Sequence, residues 1–283
     1  MITSKQISSA VSGLCIDANL KLRPDVVKAL KDSLRKETSL KSRNLLSILL
    51  ENCAIAKSEK IPLCQDTGMT VVFAEVGQDA RIQGDLTTAI NKGVATGYKE
   101  GFLRKSIVAD PLLRKNTGTN TPAMIYYDIV PGKKLKLTVL PKGFGSENKS
   151  KLYMLNPTAG YDAVVNSILK AIKEAGPDAC PPYVVGVGIG GDAAKACYLA
   201  KKALTKPVTF LSDKAHFRKL AKELLAKGNK LNIGPLGAGG KTTLLGVNIL
   251  SMATHIAGLP VAVNISCHSL RSAHKNLQSS QRS

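Results

Sequence analysis

The order in which two hydrophobic periodicities follow one another constrains this chain more than any other feature of its sequence. Up to about Lys60 the apolar residues recur at helical spacing. Met1–Leu20 reads as an amphipathic segment carrying Lys5 and Asp17. Pro24 suits a first helical position and is followed by Val26, Val27, Leu30 and Leu34. A further helix is predicted from Ser39 through Leu45, Leu46, Leu49, Leu50 and Cys53. After Lys60 the pattern changes. Met69–Val76 is rich in β-formers, and Gly77–Gln78–Asp79 reads as a turn. Asp85 is placed to cap a helix through Ile90, Val94 and Tyr98. Ala123–Val130 and Leu135–Leu140 read as two strands joined at Pro131–Gly132, a hairpin signal.

The second half alternates. A helix from about Tyr161 to Ala175 precedes a strand, Tyr183–Gly188. A helix from Asp192 to Leu204, a short strand, Val208–Leu211, and a helix from Ser212 to Leu225 come next. Gly234–Gly240 is glycine-rich, and Val261–Ile265 is a short apolar strand. There is no internal repeat and no strong linker. Helices first and mixed β later predict an α+β (mixed α/β) fold whose glycine-rich loops converge. Residues 1–283 are expected to form one domain with a helical N-terminal region over about 1–60.

Composition narrows the function classes. The formal charge is +20, which attracts anions such as nucleic acid, anionic membrane or small dicarboxylates. The lysines, however, are scattered along helices, and aromatic residues make up 4% with no Trp, which leaves little stacking surface for single strands. Nucleic acid is therefore not the expected partner. No apolar stretch reaches the roughly 20 residues of a membrane span, and the N-terminus does not read as a secretory signal. Six cysteines are then better read as reduced thiols or metal ligands than as disulfides, and the expected compartment is the cytoplasm.

Two glycine-rich segments invite nucleotide readings. Gly186-Val-Gly188-Ile-Gly190-Gly191 satisfies GxGxxG between a strand and a helix, with Asp213 about 20 residues on. Asp192 at the helix start would repel a pyrophosphate placed on the same amides, so a tight turn with close backbone packing is the preferred reading over a nicotinamide-dependent oxidoreductase. Gly234–Thr242 resembles a P-loop but has Pro235 where the leading glycine belongs. It retains Lys241 and backbone amides able to cradle an anion. The cysteines divide by context. Cys15, Cys53 and Cys197 fall inside predicted helices among apolar neighbours, as buried small hydrophobes do. Cys64, Cys180 and Cys267 lie in loops beside helix-breaking or polar residues, where a thiolate is better supported. Three soft ligands suit an iron–sulfur site, although their spacing alone does not establish one.

Several segments carry a family resemblance when read in order. They are Leu63-Cys64-Gln65-Asp66-Thr67-Gly68, Leu103-Arg104, Asn116 to Ala123, Lys142 to Asn148, Ala179-Cys180-Pro181-Pro182-Tyr183, Gly239-Gly240-Lys241, and His255 to Cys267. In this order they resemble the class I (iron–sulfur) fumarases and the related L-tartrate dehydratases. The likeness runs from about Ser39 onward and covers the cluster-binding α portion. It implies a [4Fe–4S] cluster on Cys64, Cys180 and Cys267, with one iron left open as a Lewis acid. It implies substrate contacts from Gln65, Arg104 and the Gly145 amide, and catalytic roles for Asp66 and His255. It also implies a β-type partner subunit, a hetero-oligomer such as α2β2, and a small dicarboxylate substrate. Reversible hydration of fumarate to L-malate is the first expectation and L(+)-tartrate dehydration the alternative. Phe144 departs from the family pattern, which has small residues there.

Overall fold

The computed structural model describes residues 1–278. Its elements, in chain order, begin with β1 (Ile2–Thr3), α1 (Ser4–Leu20), α2 (Pro24–Lys36), α3 (Leu40–Glu59), β2 (Met69–Gly77), β3 (Ile82–Gln83), α4 (Leu86–Glu100), β4 (Met124–Val130) and β5 (Lys134–Lys142). They continue with α5 (Phe144–Glu147), β6 (Lys151–Leu155), α6 (Gly160–Ala175), β7 (Tyr183–Gly191), α7 (Ala193–Ala203), α8 (Ala215–Asn229), β8 (Leu244–Thr254), β9 (Leu259–Ser266) and β10 (Ala273–Gln278). The fold is α+β, as the sequence predicts. The chain divides into two compact units. Of the described residues, unit 1 comprises Met1–Leu22, Ile55–Gly143 and 271–278; unit 2 comprises Arg23–Ala54 and Phe144–Leu270.

Unit 1 is a four-stranded sheet in the order β10-β5-β2-β4, packed against α1 and α4. Thr3 starts α1 through a capping box with Gln6, and Asp85 caps α4 by accepting from the Thr88 N–H. Ile7, Val11 and Leu14 of α1 meet Ile90, Val94 and Tyr98 of α4 over Val72, Leu135, Leu137 and Val139 of the sheet. The expected hairpin does not form. β2 lies between β4 and β5, parallel to the first and antiparallel to the second. Hydrophobicity decides the order: Val71, Val72, Phe73 and Ala74 of β2 are buried, whereas Tyr127 and Ile129 of β4 are exposed, as at a sheet edge.

Unit 2 is a four-stranded sheet in the order β6-β9-β7-β8, with β7 and β8 parallel and β9 antiparallel to β7 and β6. β7 shows why its glycines are there. Val185, Val187 and Ile189 point into the core built with α6 and α8, and the alternating positions Gly186 and Gly188 face α7. A Cβ on Gly186 would stand 2.1 Å from the Ala200 carbonyl oxygen, and one on Gly188 would stand 2.0 Å from that of Ala196. The GxGxxG pattern is thus a strand surface on which a helix backbone rests. Asp192 caps α7, accepting from the Lys195 N–H at 2.7 Å, so a carboxylate already occupies that helix start.

Two further expectations change. Val208–Leu211 forms no strand but begins in a turn, because the Phe210 N–H goes to the Pro207 carbonyl (2.8 Å) and the Val208 N–H to Asp25 Oδ2 (2.8 Å). Strands β6, β8 and β10 were not among those expected. No helix of the described residues is long and apolar enough to cross a membrane.

Candidate functional site

In unit 1 the candidate residues lie on two loops tied by their backbones. Beyond α3 the chain is anchored by buried Leu63, whose N–H donates to the Asn19 carbonyl at 2.9 Å. Cys64 and Asp66 are then half-buried, Gln65 exposed, and Thr67 and Gly68 buried. Gly68 has φ +77, and a Cβ there would come within 2.8 Å of the Lys142 backbone, so only glycine fits this turn. Asp66 Oδ1 accepts from the Gly68 N–H at 2.9 Å. The Thr67 hydroxyl donates to the Arg104 carbonyl at 2.7 Å. Asn120, fully buried, donates to the Gly68 carbonyl (3.2 Å) and accepts from the Ser106 N–H (2.8 Å). Gln65, Asp66 and Arg104 are thereby brought together, with the Arg104 side chain exposed.

Three residues to which sequence reasoning gave no role at this loop hold the arrangement. The Tyr98 hydroxyl donates to the Thr67 carbonyl (2.7 Å) and the Gly68 carbonyl (3.0 Å). Asn120 holds Gly68 as above. Arg271 donates through Nη2 to the Asp66 carbonyl. Three consecutive carbonyls, Asp66 to Gly68, therefore each meet a buried side-chain donor. Tyr98 is completely buried, and burial pushes its hydroxyl well above the usual tyrosine range, keeping it a neutral donor.

In unit 2, Cys180 closes a single 3-10 turn, Gly176–Ala179, in left-handed conformation (φ 53, ψ 69) with its residue exposed. Such a conformation in a non-glycine residue is strained by on the order of 1 kcal/mol and recurs at functional positions. Cys267 follows the end of β9, and the next residue, His268, donates its N–H to the Cys180 carbonyl at 3.2 Å. The two thiol-bearing loops are thus neighbours. Gly145, exposed in α5, is beside the same turn: a Cβ on it would be 3.5 Å from the Asp178 carbonyl oxygen, an ordinary contact. Lys149 Nζ bonds Asp178 Oδ2 at 2.7 Å and fixes that approach. His255 is elsewhere. It sits exposed in the β8–β9 connection, its Nδ1 accepting from the Ala257 N–H at 3.2 Å. Cys267 lies past the opposite end of β9, roughly 26 Å away for eight strand residues. The structure does not bring His255 to the other candidates of unit 2.

The remaining thiols have a different chemistry. Burial pushes Cys15 up to about 12 and Cys53 up to about 11. Cys197 is also raised by burial, with Lys201 opposing, although the residue is exposed and is not the core hydrophobe the sequence suggested. All three are poor thiolates. Among the described residues, no three His, Cys, Asp or Glu side chains are already gathered as a metal site. The Gly234–Lys241 loop is held by Glu37, which is 2 % exposed. Glu37 accepts from the Lys241 N–H (2.7 Å) and caps the approach to α3 through Thr38 and Ser39. An acid already occupies this would-be phosphate loop.

The class of protein, an α-type hydro-lyase subunit, comes from the comparisons with known families. The model of the fumarate hydratase (Fumerase) family matches residues 8–276, and the chain belongs to that family. Among individual proteins, it is 39% identical over 280 residues to a Methanocaldococcus jannaschii protein provisionally named L(+)-tartrate dehydratase subunit alpha, covering 96% of this chain and 98% of that one. It is 30% identical to the L(+)-tartrate dehydratase subunit alpha of Escherichia coli (strain UTI89) and 29% identical to that of Shigella sonnei, each over 93% of this chain and 88% of the relative.

Proposed function

We propose that the chain is the cluster-bearing α subunit of an L(+)-tartrate dehydratase working with a β-type partner. The observation that carries this choice is the match, over nearly the whole chain, to α subunits named for that reaction. It reverses the order of the sequence expectation, which put fumarate first. Fumarate hydration stands as the second reading because the family model is described by it.

Cys64, Cys180 and Cys267 are the thiols suited to a [4Fe–4S] cluster, since each stands in a loop, whereas the other three lie in helices and are raised in pKa. When bound, the cluster would supply a Lewis acid for a substrate carboxylate and the departing hydroxyl. The chain's own residues orient the rest. Arg104 offers a planar, exposed guanidinium to a carboxylate. Gln65 presents an amide that can both donate and accept, which suits the second hydroxyl distinguishing tartrate from malate. Asp66, its carboxylate steadied by the Gly68 N–H, accepts the proton removed from carbon. The Gly145 N–H donates to the aci-carboxylate that develops. One C–H and one C–O bond break, water leaves, and the enol product tautomerises to a 2-oxo dicarboxylate. His255 is left out of this centre because of where it lies.

The other carboxylate of the dianion needs cations that this reading assigns to the β-type subunit, in an assembly such as α2β2 in the reducing cytoplasm. The test is anaerobic co-expression with a β-type subunit, followed by assay on L(+)-tartrate and fumarate. A higher kcat/KM on L(+)-tartrate is expected. A preference for fumarate installs the second reading, and activity on neither overturns both.

A further inference from the structure

Arg271 is an anomaly that the proposed chemistry does not use. Its side chain is buried at 3 % exposure, and its one bond goes from Nη2 to the Asp66 carbonyl. Nε and Nη1, also buried, have no acceptor among the described residues. Cys15 and the Tyr98 hydroxyl are the nearby ionisable groups of α1 and α4, and burial keeps both neutral.

A guanidinium is an expensive way to satisfy one carbonyl, because the charge loses its hydration and its remaining donors go unmet. The same loop shows that neutral donors suffice. Tyr98 serves the carbonyls of Thr67 and Gly68, and Asn120 also serves Gly68. A cation at the third carbonyl is therefore retained for something a neutral donor lacks. That something is positive charge beside residues that handle a dianion, delivered by a rigid planar group that also fixes a peptide.

We propose that Arg271 is the positioning residue of the Cys64–Gly68 loop, fixing the peptide from which Gln65 and Asp66 meet a dicarboxylate and lending that loop a buried positive charge. The inference rests on the reading of Gln65 and Asp66 as dicarboxylate contacts. The hydrogen bond of Arg271 goes to the Asp66 carbonyl, so it acts through the Asp66 backbone.

The test uses the full chain as Arg271→Gln, a neutral donor, and Arg271→Lys, a charge without the planar fork. Amide hydrogen exchange of the peptide covering residues 63–70 is read first, on the chain alone. Arg271→Gln is expected to lower its protection about tenfold or more while β7 and β9 keep theirs. Arg271→Lys should recover part of the loss. In the cluster-loaded complex with a β-type partner, kcat should fall about 10²-fold in Arg271→Gln, on the scale of a lost oriented donor, and KM should move less. Unchanged exchange at 63–70 in both variants overturns the proposal, as does a loss spread evenly over both units. Should Arg271→Gln not fold, Arg271→Lys alone decides, since wild-type exchange and kcat in that variant would contradict the need for the fork. A wild-type complex inactive on both substrates defeats the proposed function, whereas the exchange measurement still decides the role of Arg271.

Discussion

Replacing Tyr98 by Phe removes a single oxygen and no packing, so its effect can be worked from the hydrogen bonds alone. The hydroxyl donates at 2.7 Å to the Thr67 carbonyl and at 3.0 Å to that of Gly68. Gly68 keeps Asn120 as a donor at 3.2 Å, so Thr67 is the acceptor left without this donor in a buried site. Stranding one buried acceptor costs about 1–3 kcal/mol, and weakening the second brings the expectation to about 2 kcal/mol. For a chain of this size that is a fall in Tm of roughly 4–8 °C. Tyr183 provides the control. It is equally buried, but its hydroxyl has no partner among the described residues, so Tyr183→Phe should be neutral or slightly stabilising. Equilibrium urea unfolding of both variants under reducing conditions, at unchanged m, measures the difference. If Tyr98→Phe lies within about 0.5 kcal/mol of the parent, or if Tyr183→Phe costs as much, then the hydroxyl is not what holds the loop.

Three further outcomes are expected. Gly188→Ala drives a Cβ to 2.0 Å from the Ala196 carbonyl oxygen and should cost about 3 kcal/mol or more; Gly145→Ala meets only an ordinary contact and should leave unfolding unchanged while lowering kcat/KM on the preferred dicarboxylate. Cys64→Ser, Cys180→Ser and Cys267→Ser should each lose stoichiometric iron and sulfide after anaerobic reconstitution, and Cys197→Ser should retain them; full iron in Cys180→Ser refutes the ligand set. Burial opposes the charge of Glu37, but the N–H groups of Ser39, Lys241 and Thr38 hold its carboxyl below the usual glutamate range. Its stabilisation is therefore present above the unfolded-state value of about 4.3 and lost as pH falls through the lower folded-state value. Unfolding midpoints of Glu37→Gln should start lower at neutral pH and fall less steeply below pH 4.

What could be read in the sequence was local. Pro24 and Asp85 announced the starts of α2 and α4 because caps act within one turn. The flanking prolines and glycines separated Cys64 and Cys180 from the helical cysteines because backbone freedom is also local. Strand partners are not local. Pro131–Gly132 promised a hairpin, yet the buried face of β2 outcompeted β4 for the place beside β5. The brace around Asp66–Gly68 was invisible for the same reason: Tyr98, Asn120 and Arg271 are 31, 52 and 205 residues from the carbonyls they serve. His255 carried a motif's order, but order does not report that an eight-residue strand intervenes before Cys267.

The two units are interleaved in sequence, and this has a consequence for synthesis. Unit 1 takes its last pieces, Arg271 and the edge strand β10, from chain that is made after the whole of unit 2. A ribosome releases Cys64, Gln65 and Asp66 about 200 residues before the guanidinium that holds their loop. During that interval unit 2 can complete its sheet from β6 to β9 without further chain, whereas unit 1 has β5 with one side unpaired. The Cys64 loop therefore waits for its brace on chain that follows it by about 200 residues, with the unit 2 sheet complete in between.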